Sequence, residues 1–322
     1  MRLLASAAVL AATLPLFGAT PDRSFTLEDS RITESSGLAA SRQHPGIYWT
    51  HNDSEDGPYL YAVDSATGRT VATITMSGVG SPRDVEAISI GPDNQIYVGD
   101  IGDNLDGSWK HVWIYRLPEP AQLRDATVKA TQYTVRYEGG ARNAEALMVH
   151  PVTGRVYIAS KNPDTGGLYE GPSRLSATGS NTFRRIADVP WVTDGAFSPD
   201  GGQLVLRGYF FARVYPWRDG RPQGGGEPVN APFQRQAESV TYTADGSALM
   251  FGSEGRSSEV VRVDVKRADG PSGSPSSPAA QDPGGQGTEP DGDRGSFTLG
   301  ALVLAGATAL VLGLKRLVRR RD

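Results

Sequence analysis

The 322-residue sequence contains no cysteine and only four histidines. Without cysteine there can be no disulfide, no lipid anchor on an N-terminal thiol and no thiolate metal centre. The segments HExxH, GxSxG, a phosphate-binding P-loop and GxGxxG are also missing. The usual sequence signs of zinc proteases, serine hydrolases and nucleotide enzymes are therefore absent. Long apolar runs are lacking everywhere except at the two ends.

Those ends carry targeting signals. Residues 1–20 place Arg2 before an Ala- and Leu-rich run from Leu3 to Ala19, the pattern of a secretory signal peptide. Residues 296–314 hold the uncharged run FTLGALVLAGATALVLGL, followed at 315–322 by KRLVRRRD. A run near 20 apolar residues spans a bilayer core. Basic flanks stay cytoplasmic. These features predict a bacterial cell-membrane protein with a single pass, its C-terminus inside and the preceding chain outside. Between them, residues 267–295 contain 16 Gly, Pro or Ser among 29 residues, which predicts a disordered linker. Residues 21–266 remain as one ectodomain.

Charge narrows the partners. The chain carries a net charge of −4, and the tail 315–322 contributes +5 −1 = +4, so the remainder carries −4 −4 = −8. Such an excess disfavours nucleic acid and suits cations. The partners left are the membrane, through the C-terminal helix, and a small-molecule or protein ligand.

What the ectodomain does contain is a repeat. SSGLAAS (35–41), VEAISIG (85–91), AEALMVH (144–150), TDGAFSP (193–199) and AESVTYT (237–243) align on Ser36, Glu86, Glu145, Asp194 and Glu238, spaced by 50, 59, 49 and 44 residues. A turn follows each (QHPG, GPDN, HPVTG, SPDGG, TADG), then a second and a third strand, and in four units a fourth, the last of these EPVNAPF. Units of this length with four short strands predict an all-β fold, a β-propeller of five blades, with six as the alternative count. The fifth unit stops after three strands. The orphan stretch SFTLE (24–28) is expected to complete it and so close the ring.

In such a meander the start of strand one and the end of strand two lie on one face. That face collects the ring acids Glu86, Glu145, Asp194 and Glu238, with Glu34 and Asp84 two residues before ring positions. It also gathers His51, Asp53, Asp100, Asp103 and Lys161 from the loops after strand two. Hard oxygen donors in this number suit calcium. Arg83, Arg142 and Arg235 each precede a ring acid by three residues, with Trp191 at the equivalent place in unit four. They read either as ion pairs to a neighbouring blade or as an anion clamp, with His51, Lys161 and Trp191 as further ligand contacts.

ESSGL (34–38), WTHND (49–53), DVEAI (84–88) and GDIGDN (99–104) resemble bacterial secreted or membrane-anchored propellers of the SdiA-regulated and phytase-like, esterase-like type. The match covers roughly residues 32–118. The resemblance implies a metal-binding propeller at the cell surface and, for the phytase-like branch, a calcium-dependent phosphoesterase. It points to Glu34, Asp53, Asp84, Glu86, Asp100 and Asp103. The DWED pattern stands here as DVEA, losing a Trp and a carboxylate. The leading expectation is ligand or partner binding through an acidic, calcium-bearing face; the alternative is phosphate-ester hydrolysis.

Overall fold

The computed structural model describes residues 22–54, 56–104, 107–162 and 166–265. The expected signal peptide, linker, membrane helix and basic tail lie outside the described residues. Among the described residues no helix is long and apolar enough to cross a membrane.

The described chain is all-β. A short strand β1 (Phe25–Thr26) precedes the first unit, built of β2 (Ser35–Ala40), β3 (Ile47–Asn52), β4 (Tyr59–Asp64) and β5 (Arg69–Ser77). The second unit has β6 (Val85–Ile90), β7 (Gln95–Asp100), β8 (Val112–Pro118), β9 (Ala126–Lys129) and β10 (Thr131–Tyr137). The third has β11 (Ala144–Val149), β12 (Val156–Ser160), β13 (Gly166–Glu170) and β14 (Ser180–Val189). Next come β15 (Asp194–Phe197), β16 (Gln203–Gly208), β17 (Phe211–Arg218), β18 (Arg221–Pro222) and β19 (Glu227–Val229). The last unit is β20 (Ser239–Tyr242), β21 (Ala248–Gly252) and β22 (Glu259–Asp264).

Within each unit the first three strands pair antiparallel in chain order, as the Pro/Gly turns require. The first strands of the units meet in a cycle: β2 lies beside β6, β6 beside β11, β11 beside β15, β15 beside β20, and β20 beside β2. That is a propeller-like arrangement. β1 pairs antiparallel with β22, Phe25 opposite Val260, the place expected for SFTLE. Two junctions were not legible in the repeat: β9 runs parallel to β5, and β10 parallel to β14, stitching outer edges of neighbouring units. In unit four the outer strand EPVNAPF shrinks to the three residues of β19. Pro228 and Pro232 remove backbone donors there, which shortens any ladder.

Apolar residues form layers between neighbouring units. Trp49, Leu60 and Ile74 of the first pack with Ile88, Val98 and Tyr115 of the second. Leu27, Tyr48 and Tyr61 pack with Met250 and Val260, joining the last unit to the first. The strand aromatics Tyr48, Trp49, Tyr97, Tyr115, Tyr157 and Tyr169 are buried in such layers, where flat rings fill the space between facing sheets.

Candidate functional site

One backbone device recurs at the ends of the units. The amides of Asp53, Gly102, Lys161 and Glu254 donate to the carbonyls of Glu34, Asp84, Asn143 and Gln236, at 2.9, 3.1, 3.0 and 3.0 Å. Each acceptor stands two residues before a ring position. The loop after strand two is thereby pinned beside the start of strand one. A further bond, from the Val85 amide to the Asp53 carbonyl at 2.9 Å, carries the first unit's loop onto the second unit.

The ring residues themselves sit at irregularities. The β2–β3 register shifts between Ser35 and Gly37, that of β6–β7 between Val85 and Ala87, and that of β11–β12 between Ala144 and Ala146. Ser36, Glu86 and Glu145 are the extra residues of these bulges, and a bulge re-aims the side chain it carries. β15 has no such shift: Asp194 pairs directly with Arg207.

The result is a compact acidic cluster. Asp53, Asp84 and Glu86 each present a carboxylate oxygen, all within 4.8 Å of one another. The Ser36 hydroxyl donates to Glu86 Oε2 at 3.0 Å, and the Asn104 amide donates to Asp84 Oδ2 at 3.1 Å. Asp84 and Glu86 are buried, and Asp53 Oδ1 is a buried atom with no partner among the described residues. Gly102 closes over the group, since a Cβ there would lie 2.6 Å from the Asp84 carboxylate and 2.8 Å from Glu86 Oε1.

Beside it lies a second group. Lys161 Nζ pairs with Glu145 Oε2 at 3.0 Å and donates to the Tyr209 hydroxyl at 3.1 Å. Glu238 is buried near both, with Oε2 unpartnered among the described residues. Burial acts against the Lys161 charge, but the Glu145 and Glu238 carboxylates more than offset it and hold its pKa above the ordinary value. Burial drives the carboxyls the other way. Asp53, Asp84, Glu86 and Glu238 are all raised by desolvation, and neighbouring carboxylates add to the shift. Two like charges 4.8 Å apart repel by about 3 kcal/mol at an effective dielectric near 20. Single-site protonation or a divalent cation relieves that strain.

The remaining expected residues go elsewhere. Asp100 is fully engaged as a loop cap, taking the amides of Arg83 and Asp84 and the Tyr115 hydroxyl at 3.1, 3.0 and 2.6 Å. Asp103 takes the Ser108 hydroxyl and the Trp109 amide at 3.1 and 2.7 Å. Asp194 Oδ2 takes the Val240 amide at 2.8 Å, tying unit four to unit five. Glu34 enters through its backbone, its side chain being half-buried at the start of the first unit.

The arginines do not line the acids as a clamp. Arg83 is sandwiched between Trp109 and Trp113 at 3.9 and 3.8 Å and donates to the His111 carbonyl at 3.0 Å. Arg142 lies against Tyr169 and bonds its hydroxyl. Arg235 is exposed. Trp191, 40% exposed, meets Tyr209 edge-on at 5.7 Å. His51 is buried, its Nδ1 donating to the Asn52 carbonyl at 3.1 Å. Desolvation pushes it down to about 4, so the ring is neutral, and its Nε2 lies against Gly37.

Residues not singled out from sequence matter as well. Tyr209 follows β16, where the loop rule applied to unit four would have found it. Arg207 is buried and donates to the carbonyls of Ser239 and Gly252 at 2.5 and 2.6 Å. No sequence signal separates it from a surface arginine at a strand end.

No protein-family model matches the chain, and no curated protein matches its sequence. The expected resemblance to SdiA-regulated and phytase-like propellers therefore has no support from a family model. Among solved structures, the PQQ-bound aldose sugar dehydrogenase of Streptomyces coelicolor aligns at 13% identity and a TM-score of 0.45, covering 76% of this chain and 99% of that one.

Proposed function

We propose that this chain is a five-bladed propeller, tethered outside a bacterial cell membrane by residues 296–314, that binds a ligand or partner through a calcium ion held by Asp53, Asp84 and Glu86. The single observation carrying the reading is the convergence of three carboxylates from two units within 4.8 Å, one oxygen buried and unpartnered. Oxygen-only donors without histidine or thiolate match a hard cation. Calcium takes 6–8 oxygens, more than three monodentate carboxylates provide. The open positions are where an oxygen-bearing ligand would attach.

The five-blade count is supported by the cycle of first strands and by β1 completing the last sheet. Binding is favoured over phosphate-ester hydrolysis because Arg83 and Arg142 are committed to aromatic stacks rather than turned to the acids. The test is calorimetric titration of calcium into the full-length chain after chelation. One site is expected per chain, with Asp84→Asn weakening it at least a hundredfold. Equal affinity in the wild type and Asp84→Asn would place any calcium elsewhere and end the proposal.

A further inference from the structure

Arg83, Arg142 and Asp103 are three residues that the acidic cluster leaves unused, and all three build one place on the outer rim. Between the loop that leads into β8 and the end of β10 with the loop after it lies a cavity of about 380 Å³, within the range of small-molecule sites, roughly 300–1,000 Å³. Trp109, His111 and Val112 form one wall; Tyr137, Gly140 and Ala141 form the other. Arg83 fixes the first wall by stacking on Trp109 and binding the His111 carbonyl. Asp103 holds the same loop through the Trp109 amide. Arg142 fixes the second wall, donating to the carbonyls of Glu138 and Gly140 at 3.2 and 2.9 Å with its guanidinium over the Tyr137 ring at 5.5 Å. Both walls are thus preorganised, which lowers the cost of binding.

We propose that this rim pocket binds a ring-bearing organic anion, a carboxylate or a phosphate. Its mouth carries Lys110 and Arg136, both exposed, and among the described residues no acid lines it. Neither cation makes an ion pair or hydrogen bond among the described residues. In a chain whose acids outnumber its Lys and Arg by 36 to 32, two unengaged cations beside one cavity mark a local anion site. Inside, the Tyr137 ring forms part of the wall. Indole, imidazole and phenol faces suit a flat ring, while a guanidinium and an ammonium at the entrance suit its charged group. The pocket is independent of the calcium reading, because none of the clustered carboxylates lines it.

The experiment is calorimetric titration of the full-length chain with benzoate, phenyl phosphate and neutral benzamide. Both anions are expected to bind, with benzamide at least tenfold weaker. Tighter binding of phenyl phosphate assigns the natural group as phosphate; tighter binding of benzoate assigns it as carboxylate. The double variant Lys110→Gln/Arg136→Gln, altered only at exposed positions, should weaken both anions at least tenfold. Asp84→Asn should leave them unchanged. No anion binding at millimolar concentration, benzamide equal to benzoate, or a double variant equal to wild type would each overturn the assignment.

Discussion

Gly102→Ala is expected to weaken calcium binding by roughly ten- to a hundredfold while leaving the strands intact. The added methyl would stand 2.6 Å from Asp84 Cγ and Oδ2 and 2.8 Å from Glu86 Oε1, closer than real atoms approach. Gly102 does not have a positive φ, so the effect is steric rather than conformational. Two short carboxylates must turn away, and Asp84 is already held by Asn104. Overpacking of this kind costs about 1–3 kcal/mol, and here it falls on the geometry of the ligand oxygens. Equilibrium dialysis against calcium, with far-ultraviolet circular dichroism as the folding control, reads the effect. Unchanged affinity would mean that the Asp84–Glu86 pair is not where the ion sits.

The second large effect concerns ring closure. Leu27→Ala should lower the melting temperature by roughly 6–12 °C, from a loss of about 3 kcal/mol. Leu27 is 1% exposed, in a layer with Tyr48, Tyr61, Met250 and Val260. Its amide donates to Ser258 of the last unit at 2.9 Å, so its side chain and backbone hold the first and last units together. The neighbouring bonds from the Tyr48 hydroxyl to Asp22 and from Arg262 to the Asp22 carbonyl, at 2.6 and 3.1 Å, serve the same junction. Thr26→Ala, half-buried and one residue away, should shift melting by no more than about 2 °C. Equal shifts in both variants, read by differential scanning calorimetry, would show that the junction does not limit stability.

The repeat made the strand order, the inner ring and the closing role of SFTLE legible, because period-2 apolar patterning and Pro/Gly turns act locally. It also placed Asp53, Asp84 and Glu86 on one face. Sequence could not separate these from Asp100, Asp103 and Asp194. All are acids at strand ends, yet the first set converges and the second caps backbone amides. The difference lies in the bulge at Glu86, which Asp194 lacks, and in the Asp53–Val85 bond, which joins two units. The arginines misled for a similar reason. RDVE and RNAE look like clamps beside acids, but Trp109, Trp113 and Tyr169, distant in sequence, supply stacking faces that draw Arg83 and Arg142 away. Nothing local in YEGGAR or SWKHVW announces that their loops enclose a pocket.

Calorimetric melting of the full-length chain between pH 5 and 8, with calcium and with chelator, tests the central claim most directly. Burial and mutual repulsion raise the Asp53, Asp84 and Glu86 carboxyls above their unfolded values near 4. Groups raised in the folded state contribute stability that is fully present below the unfolded pKa and lost as pH rises through the folded one. The chelated protein should therefore melt lower at pH 8 than at pH 5. Calcium binds the ionised, folded cluster and should offset that loss, so the two curves converge at pH 5 and separate by at least about 5 °C at pH 8. Melting temperatures that ignore calcium across the whole range would contradict a cation site built from these carboxylates.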